Sequence, residues 1–148
     1  MVVKYNSICK SSELAIAEYP KLKGAVDLSL IKNNGIENKI EFKYQYPKDL
    51  KNSSVINALL KDTNTPKGTG HCTNFILIIH ERSEEFNSFS KAGVSPIFTN
   101  LNDRFTESYS KLLEFENKIN RNFKKEFITV KCLEPYPNKY HFVIYHFI

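Results

Sequence analysis

The sequence predicts a mixed α/β fold, in which helices sandwich a single mixed β-sheet. The first observation is a pair of alternating segments joined by a turn, and the second is a helix that leads into a wholly apolar run. The third is a helix followed by two more alternating segments, which predict a C-terminal β-hairpin. Because helices and strands interleave along the chain, we expect one shared core. The predicted strands are 26–32, 39–46, 75–79, 126–133 and 140–147, and the longer predicted helices are 49–62 and 101–120.

The first predicted element is a short helix near the N-terminus. Ser11 or Ser12 supplies a capping hydroxyl, the helix runs through Leu14 to Ala17, and Pro20 ends it. The next two segments are joined by Asn33-Asn34-Gly35, which tolerates the positive φ of a tight turn. The sequence therefore predicts a β-hairpin after the helix.

The middle of the chain predicts a β-α-β unit. Pro47 ends the second strand, and the apolar positions of 49–62 recur at helical spacing. The run 75–79 is apolar at every position, which is typical of a strand that is buried on both faces in a parallel pairing. The segment 83–100 shows no pattern that assigns it to a helix or a strand.

Length and composition limit the classes of protein that fit. A chain of 148 residues accommodates one domain and is short for two. No apolar run approaches the roughly 20 residues of a membrane helix, and 1–5 lacks the long apolar stretch of a signal peptide. We therefore expect no membrane partner and a cytoplasmic location. Cys9, Cys72 and Cys132 stand singly, which argues against a disulfide framework and a zinc site.

The formal net charge of the chain is +5. A basic surplus suits a polyanionic partner, because a lysine near a phosphate releases a counterion. The alternative is compositional, since an AT-rich genome also encodes chains rich in Lys, Asn and Ile. Charge therefore permits a nucleic-acid partner without selecting one.

The first strand pair carries the side chains that suggest chemistry. Successive side chains of a strand alternate between its faces. Asp27 and Ser29 therefore share one face, as do Glu41, Lys43 and Gln45. A turn centred on the second asparagine sets residue 27 opposite residue 41, with Cβ atoms about 5 Å apart. We expect Asp27 and Glu41 to be neighbours, with Lys43 beside them.

Two neighbouring carboxylates and an ammonium group form a recognisable chemical set. Adjacent carboxylates repel each other unless a cation lies between them. Hard oxygen ligands suit Mg²⁺ or Mn²⁺, which also take a phosphate oxygen and lower the pKa of a bound water. A lysine beside the metal orients that water and offsets charge in the transition state. Asp27, Glu41 and Lys43, together with such a metal ion, are therefore sufficient in principle for phosphodiester hydrolysis.

Asp27, a turn and then Glu41-Phe42-Lys43 resemble the PD-(D/E)XK nuclease superfamily, which has the restriction-endonuclease-like fold. Its pattern is an aspartate on one strand and Glu-x-Lys on the next, followed by a helix and another strand. The segment 10–82 supplies these parts in that order. Many members also carry an acidic residue on the preceding helix, and Glu18 resembles that feature.

The resemblance has two departures and a limited extent. Val26 stands where many members have proline, and the strand expected before the aspartate strand is not obvious. We expect that strand to be short, or its edge to be completed by the C-terminal hairpin. The segment 83–148 has no counterpart in the pattern, although 101–148 predicts a helix and a hairpin.

The resemblance implies a divalent-metal-dependent nuclease, with Mg²⁺ or Mn²⁺ as its cofactor and DNA favoured over RNA as its substrate. Asp27 and Glu41 would bind the metal together with the backbone carbonyl of Phe42. Lys43 would position and activate water, and Glu18 would be an accessory ligand.

Three further residues are candidate contacts to nucleic acid: Gln45, Lys48 and Lys51. Gln45 continues the same strand face and could hold a phosphate or a water, or lie at a solvated strand end. The two lysines could contact the nucleic-acid backbone or be ordinary surface lysines.

Two alternatives to a nuclease stay open. Asp27, Glu41 and Lys43 could line a solvated strand face, because alternating polar positions are common on exposed strands. The chain could also be a non-catalytic protein on the same fold, such as an immunity protein or an inhibitor. A homodimer or a partner protein would suit a chain with little room for a recognition domain.

Overall fold

The computed structural model describes residues 13–17, 27–32, 35–66, 71–82, 105–133 and 138–148. In these parts the chain forms a mixed sheet of six strands and two α-helices. The strands are β1 (Glu13–Ala17), β2 (Leu28–Lys32), β3 (Gly35–Gln45), β4 (Asn74–Arg82), β5 (Phe123–Cys132) and β6 (Asn138–Phe147), and the α-helices are α1 (Ser53–Asn64) and α2 (Phe105–Glu116).

The strand order across the sheet is β1-β2-β3-β4-β6-β5. Strands β3 and β4 are parallel, and every other neighbouring pair is antiparallel. The prediction of a mixed α/β protein with a C-terminal hairpin is therefore confirmed. The segment without a predicted element, 83–100, lies outside the described residues.

The helix predicted over Leu14 to Ala17 is wrong, because this segment forms strand β1. A helix this short leaves most of its backbone N–H and C=O groups without intrahelical partners. Pairing with β2 supplies those partners, and Ala15 lies opposite Leu30. Strand β1 precedes β2 in the chain and lies at the edge of the six-stranded sheet of the described residues.

The β2–β3 hairpin has the predicted pairing frame. Leu28 lies opposite Ile40, which is the frame of a turn centred on Asn34. The register shifts between Leu30 and Ile31, where β3 accommodates one extra residue as a bulge. Between the bulge and the start of β2 the pairing follows the predicted register, which sets residue 27 opposite residue 41.

The β3–α1–β4 unit is the predicted β-α-β unit, with one change in its helix. The segment predicted as one helix contains a 3₁₀ helix, Pro47–Lys51, followed by α1. The two are separated at Asn52, whose side chain accepts a hydrogen bond from the Ser54 backbone N–H at 3.0 Å and caps α1. The apolar run lies within β4, which pairs in parallel with β3.

Both α-helices pack on one face of the sheet in the part of the chain that the structure describes. Phe75, Leu77 and Ile79 line this face of β4 and join side chains from α1 and α2 in one core cluster. The described residues therefore show helices on one face of the sheet, and the predicted second helical layer stays a prediction. The opposite face of β4, with Ile76 and Ile78, is only half-buried.

Membrane-crossing helices require both length and apolarity. Neither α1 nor α2 has the length and apolarity that crossing a membrane requires, and the search covers the described residues alone.

Candidate functional site

Asp27 contacts the middle of the Glu-x-Lys segment. Its Oδ2 atom accepts a hydrogen bond from the backbone N–H of Phe42 at 2.7 Å. Hydrogen bonds to an ionised carboxylate are among the stronger ones in proteins. Because Phe42 stands between Glu41 and Lys43, the β2–β3 pairing holds the Asp27 carboxylate beside this segment, as the sequence predicts.

Glu41 and Lys43 form an ion pair on the helix-packed face of β3. Lys43 Nζ lies 2.9 Å from Glu41 Oε1. Only 2% of the Glu41 surface is exposed, whereas Lys43 is partly exposed. The alternative of a solvated strand face therefore does not hold for Glu41. A buried carboxylate needs a compensating cation, which the lysine supplies.

Asp62 completes this cluster, and the sequence interpretation missed it. Its Oδ2 atom lies 3.0 Å from Lys43 Nζ. Asp62 follows Leu59 by three positions on α1 and so borders the buried stripe of the helix. That spacing was a usable signal, but the sequence does not reveal that α1 packs beside β3.

The Lys43 ammonium group is held in its charged form. Burial lowers its pKa, but hydrogen bonds and charge attraction from Glu41 and Asp62 outweigh burial, so its pKa lies above its usual value. At neutral pH this side chain is therefore a hydrogen-bond donor and a positive charge. It is not a proton acceptor.

Ser29 is a buried polar group on the same face. The residue is fully buried, and its Oγ atom meets no hydrogen-bond partner within the described parts of the chain. The pairing of β2 with β3 sets Ser29 one step along the strand face from Asp27 and Glu41. Buried hydroxyl groups without a hydrogen-bond partner are rare in proteins, so Ser29 is an unusual feature of this face.

The remaining predicted site residues lie outside the cluster of Asp27, Glu41 and Lys43. Gln45 lies on the same face of β3 as Lys43, at the end of the strand, and is half-buried. Lys48 and Lys51 are exposed on the 3₁₀ helix that follows. Glu18 lies outside the described residues.

The side chains beside Glu41 offer few ligands to a divalent cation. No group of three or more His, Cys, Asp or Glu side chains that could hold a metal ion occurs among the residues described here. The candidate donors are two carboxylates, Asp27 and Glu41, and the Phe42 carbonyl. Such hard oxygen donors fit Mg²⁺, which usually retains several waters when few protein ligands are present.

A second polar network links β4 to the start of α2. Glu81 Oε2 lies 3.1 Å from His141 Nε2 and accepts the Phe105 backbone N–H at 3.2 Å, while Glu81 Oε1 lies 3.0 Å from Lys139 Nζ. Burial raises the Glu81 pKa, but hydrogen bonds from His141, Lys139 and Phe105 outweigh it and lower the pKa below its usual value. This network fastens a helix terminus to the sheet.

Comparisons with known proteins give no relative to this chain. No family model, no curated protein and no solved structure matches it. The resemblance to the PD-(D/E)XK superfamily therefore stays a prediction that depends on the residues described above.

Proposed function

We propose that the chain is a divalent-metal-dependent nuclease that hydrolyses phosphodiester bonds, with DNA favoured over RNA. The observation that carries the proposal is the hydrogen bond from the Phe42 N–H to the Asp27 carboxylate. This bond and the Glu41–Lys43 ion pair gather an aspartate, a glutamate and a lysine on two paired strands. These are the residue types and positions that the superfamily pattern requires.

The order of elements supports a restriction-endonuclease-like core. Three antiparallel strands, β1 to β3, are followed by α1 and by β4, which is parallel to β3. Glu41 and Lys43 lie on β3, as in the pattern, and Asp27 immediately precedes β2 rather than lying on it. The resemblance had lacked an obvious first strand, and β1 fills that place.

Asp27, Glu41 and the Phe42 carbonyl are the groups that would hold the metal, with Ser29 Oγ facing the same side. A bound Mg²⁺ or Mn²⁺ supplies Lewis-acid polarisation of a phosphate and a lowered pKa for water. The carboxylates supply the negative charge that keeps such a cation in place.

Lys43 contributes as a fixed cation. Glu41 and Asp62 hold its ammonium group from two sides, at 2.9 and 3.0 Å. Its third N–H group can then donate a hydrogen bond to an attacking water or to a phosphoryl oxygen, and its charge offsets negative charge in the transition state. Because its pKa is raised, the proton of the attacking water passes to another acceptor, such as solvent or phosphate.

A second candidate function is favoured by one specific observation. Glu41 is almost fully buried, and Lys43 contacts two acids, so the cluster is a closed ion network that can stabilise the fold without a metal. A non-catalytic protein of the same fold, such as an immunity protein or an inhibitor, would have such a cluster.

Cleavage assays on plasmid DNA and on end-labelled single strands, with and without Mg²⁺ or Mn²⁺, test the proposal. We expect metal-dependent cleavage that falls by about 100-fold or more in Lys43→Ala. The lysine charge offsets negative charge that develops in the transition state and is absent from the bound substrate. The matched control, Lys48→Ala, removes an exposed lysine and leaves cleavage within about threefold at fixed salt.

Circular dichroism confirms that each variant is folded at the assay temperature. Undiminished cleavage by folded Lys43→Ala would refute the assigned role. Wild-type protein without metal-dependent cleavage of either substrate would favour the non-catalytic candidate.

A further inference from the structure

Strand β5 forms an open edge of the sheet. It is outermost in the strand order, and β6 is its neighbour in the part of the chain that the structure describes. Every residue of 124–133 is exposed. A long open edge presents unpaired N–H and C=O groups to another strand.

Strand β5 lacks the backbone features that usually protect an edge strand, although it carries three lysines, Lys124, Lys125 and Lys131, and charged side chains are also a common protection. Natural edges are shortened, bulged or interrupted by proline. Strand β5 is ten residues long, contains no proline and pairs with β6 in one unbroken register from Phe123 to Cys132. Its backbone is therefore ready to continue the sheet.

Several side chains of β5 are apolar and exposed to water. Phe127, Ile128 and Val130 are exposed by 45%, 46% and 45%. Ile128 and Val130 lie on the same face of the sheet because they are two residues apart. Apolar groups clustered at an open edge are typical of an interaction surface.

We propose that β5 pairs antiparallel with β5 of a second copy, so that two sheets join across a two-fold axis. Such an axis runs perpendicular to the sheet, so each face of one sheet continues into the same face of the other. Residues that lie opposite each other therefore point to the same face, and their numbers are both odd or both even. The possible registers are therefore few, and the charges on β5 distinguish them.

The register centred on Thr129 is complementary in both its apolar contacts and its charges. It sets Ile128 opposite the partner's Val130, so that apolar side chains meet twice across the axis. It also sets Phe127 opposite the partner's Lys131, whose alkyl stem can cover an aromatic ring. No like charges lie opposite each other in this register.

Two other registers, centred on Ile128 and on Phe127, are less favourable. Centring on Ile128 sets Lys125 opposite the partner's Lys131, and directly opposed like charges destabilise a strand pair. Centring on Phe127 sets Lys124 opposite the partner's Val130 and Glu126 opposite the partner's Ile128. A second copy is thus complementary to this edge in the Thr129-centred register, whether or not the chain is a nuclease.

Sedimentation equilibrium over a wide range of concentrations tests the pairing. We expect a monomer–dimer equilibrium, and Val130→Lys should raise the dimer dissociation constant by about 100-fold because it sets a charge opposite Ile128 twice. The matched control is Tyr109→Lys, which changes an equally exposed apolar side chain on α2 and should leave the constant unchanged. A wild-type monomer at all concentrations, or an undisturbed dimer in folded Val130→Lys, would overturn the proposal.

Cross-linking tests the register independently of any loss of folding. In a Cys9→Ser, Cys132→Ser background, Thr129→Cys places each thiol opposite its own copy, within reach of a disulfide. Mild oxidation should give a covalent dimer for Thr129→Cys and little for the control Val130→Cys, whose opposite residue is Ile128. Equal cross-linking of the two variants, or none in Thr129→Cys, would contradict the Thr129-centred register.

Discussion

At the scale of single residues, the site is governed by the cost of burying charge. Glu41 is nearly inaccessible to water, so its negative charge persists only beside a positive one. Lys43 supplies that charge and also forms an ion pair with Asp62. The same arrangement that stabilises the buried carboxylate also fixes the direction of the ammonium group, which is the property that catalysis by charge stabilisation requires.

Ser29→Ala is expected to leave the protein at least as stable as the wild type. The hydroxyl is buried without a partner in the described parts of the chain, so its removal relieves an unsatisfied polar group and gains up to about 1 kcal/mol. Urea denaturation in the presence of a chelator measures the change. A loss of more than about 1 kcal/mol would mean that the hydroxyl makes a stabilising hydrogen bond.

At the scale of elements, the sequence patterns predicted the hairpins and the β-α-β unit, which depend on residues that are close in the chain. Alternation and the turn signal predicted the β2–β3 hairpin, and a bulge between Leu30 and Ile31 gives the frame that brings Asp27 to Glu41. Alternation and an apolar run likewise predicted the parallel β3–α1–β4 unit, and the C-terminal hairpin appears with longer strands, Phe123–Cys132 and Asn138–Phe147.

What the sequence could not predict depends on tertiary contacts. Leu14 to Ala17 suits a helix locally and becomes a strand because β2 offers it backbone partners. Asp62 is unremarkable on α1 until the helix packs beside Lys43. The burial of Glu41 depends in the same way on which sheet face the helices cover.

Glu81→Gln is expected to weaken the attachment of α2 to the sheet. It removes the ionic partner of Lys139 and His141 and should cost about 1–3 kcal/mol at neutral pH. Because the Glu81 pKa is lowered, its contribution is complete above its ordinary value of 4.5 and disappears as the pH falls through the lowered pKa.

Unfolding free energies of wild type and Glu81→Gln across the acid range measure this effect. The difference between the two proteins should shrink as the pH falls below 4.5. A difference that stays constant, or grows with acid, would contradict the ionic role of Glu81. Glu114→Gln is the control, since it changes an exposed i,i+3 pair with Lys111 that is worth little.

At the scale of the whole molecule, the proposed metal site and the proposed dimer interface lie on different strands of the sheet. The candidate site lies at β2 and β3, whereas the self-pairing edge is β5, with β4 and β6 between them. Substitutions on β5 should therefore leave metal binding unchanged, because well-separated sites act independently. The same separation lets dimerisation be tested without reference to catalysis.

Titration calorimetry with Mn²⁺ is the measurement that bears most directly on the metal site. We predict one binding event per chain in the wild type, with affinity reduced by at least about 100-fold in Asp27→Asn, because an amide cannot replace an anionic ligand. The matched control is Asp49→Asn, whose carboxylate also accepts a backbone N–H, from Tyr46 at 2.9 Å, but lies outside the proposed donor set. Wild-type protein that binds no Mn²⁺, or Asp27→Asn that binds it as tightly as Asp49→Asn, would contradict a metal site between Asp27 and Glu41.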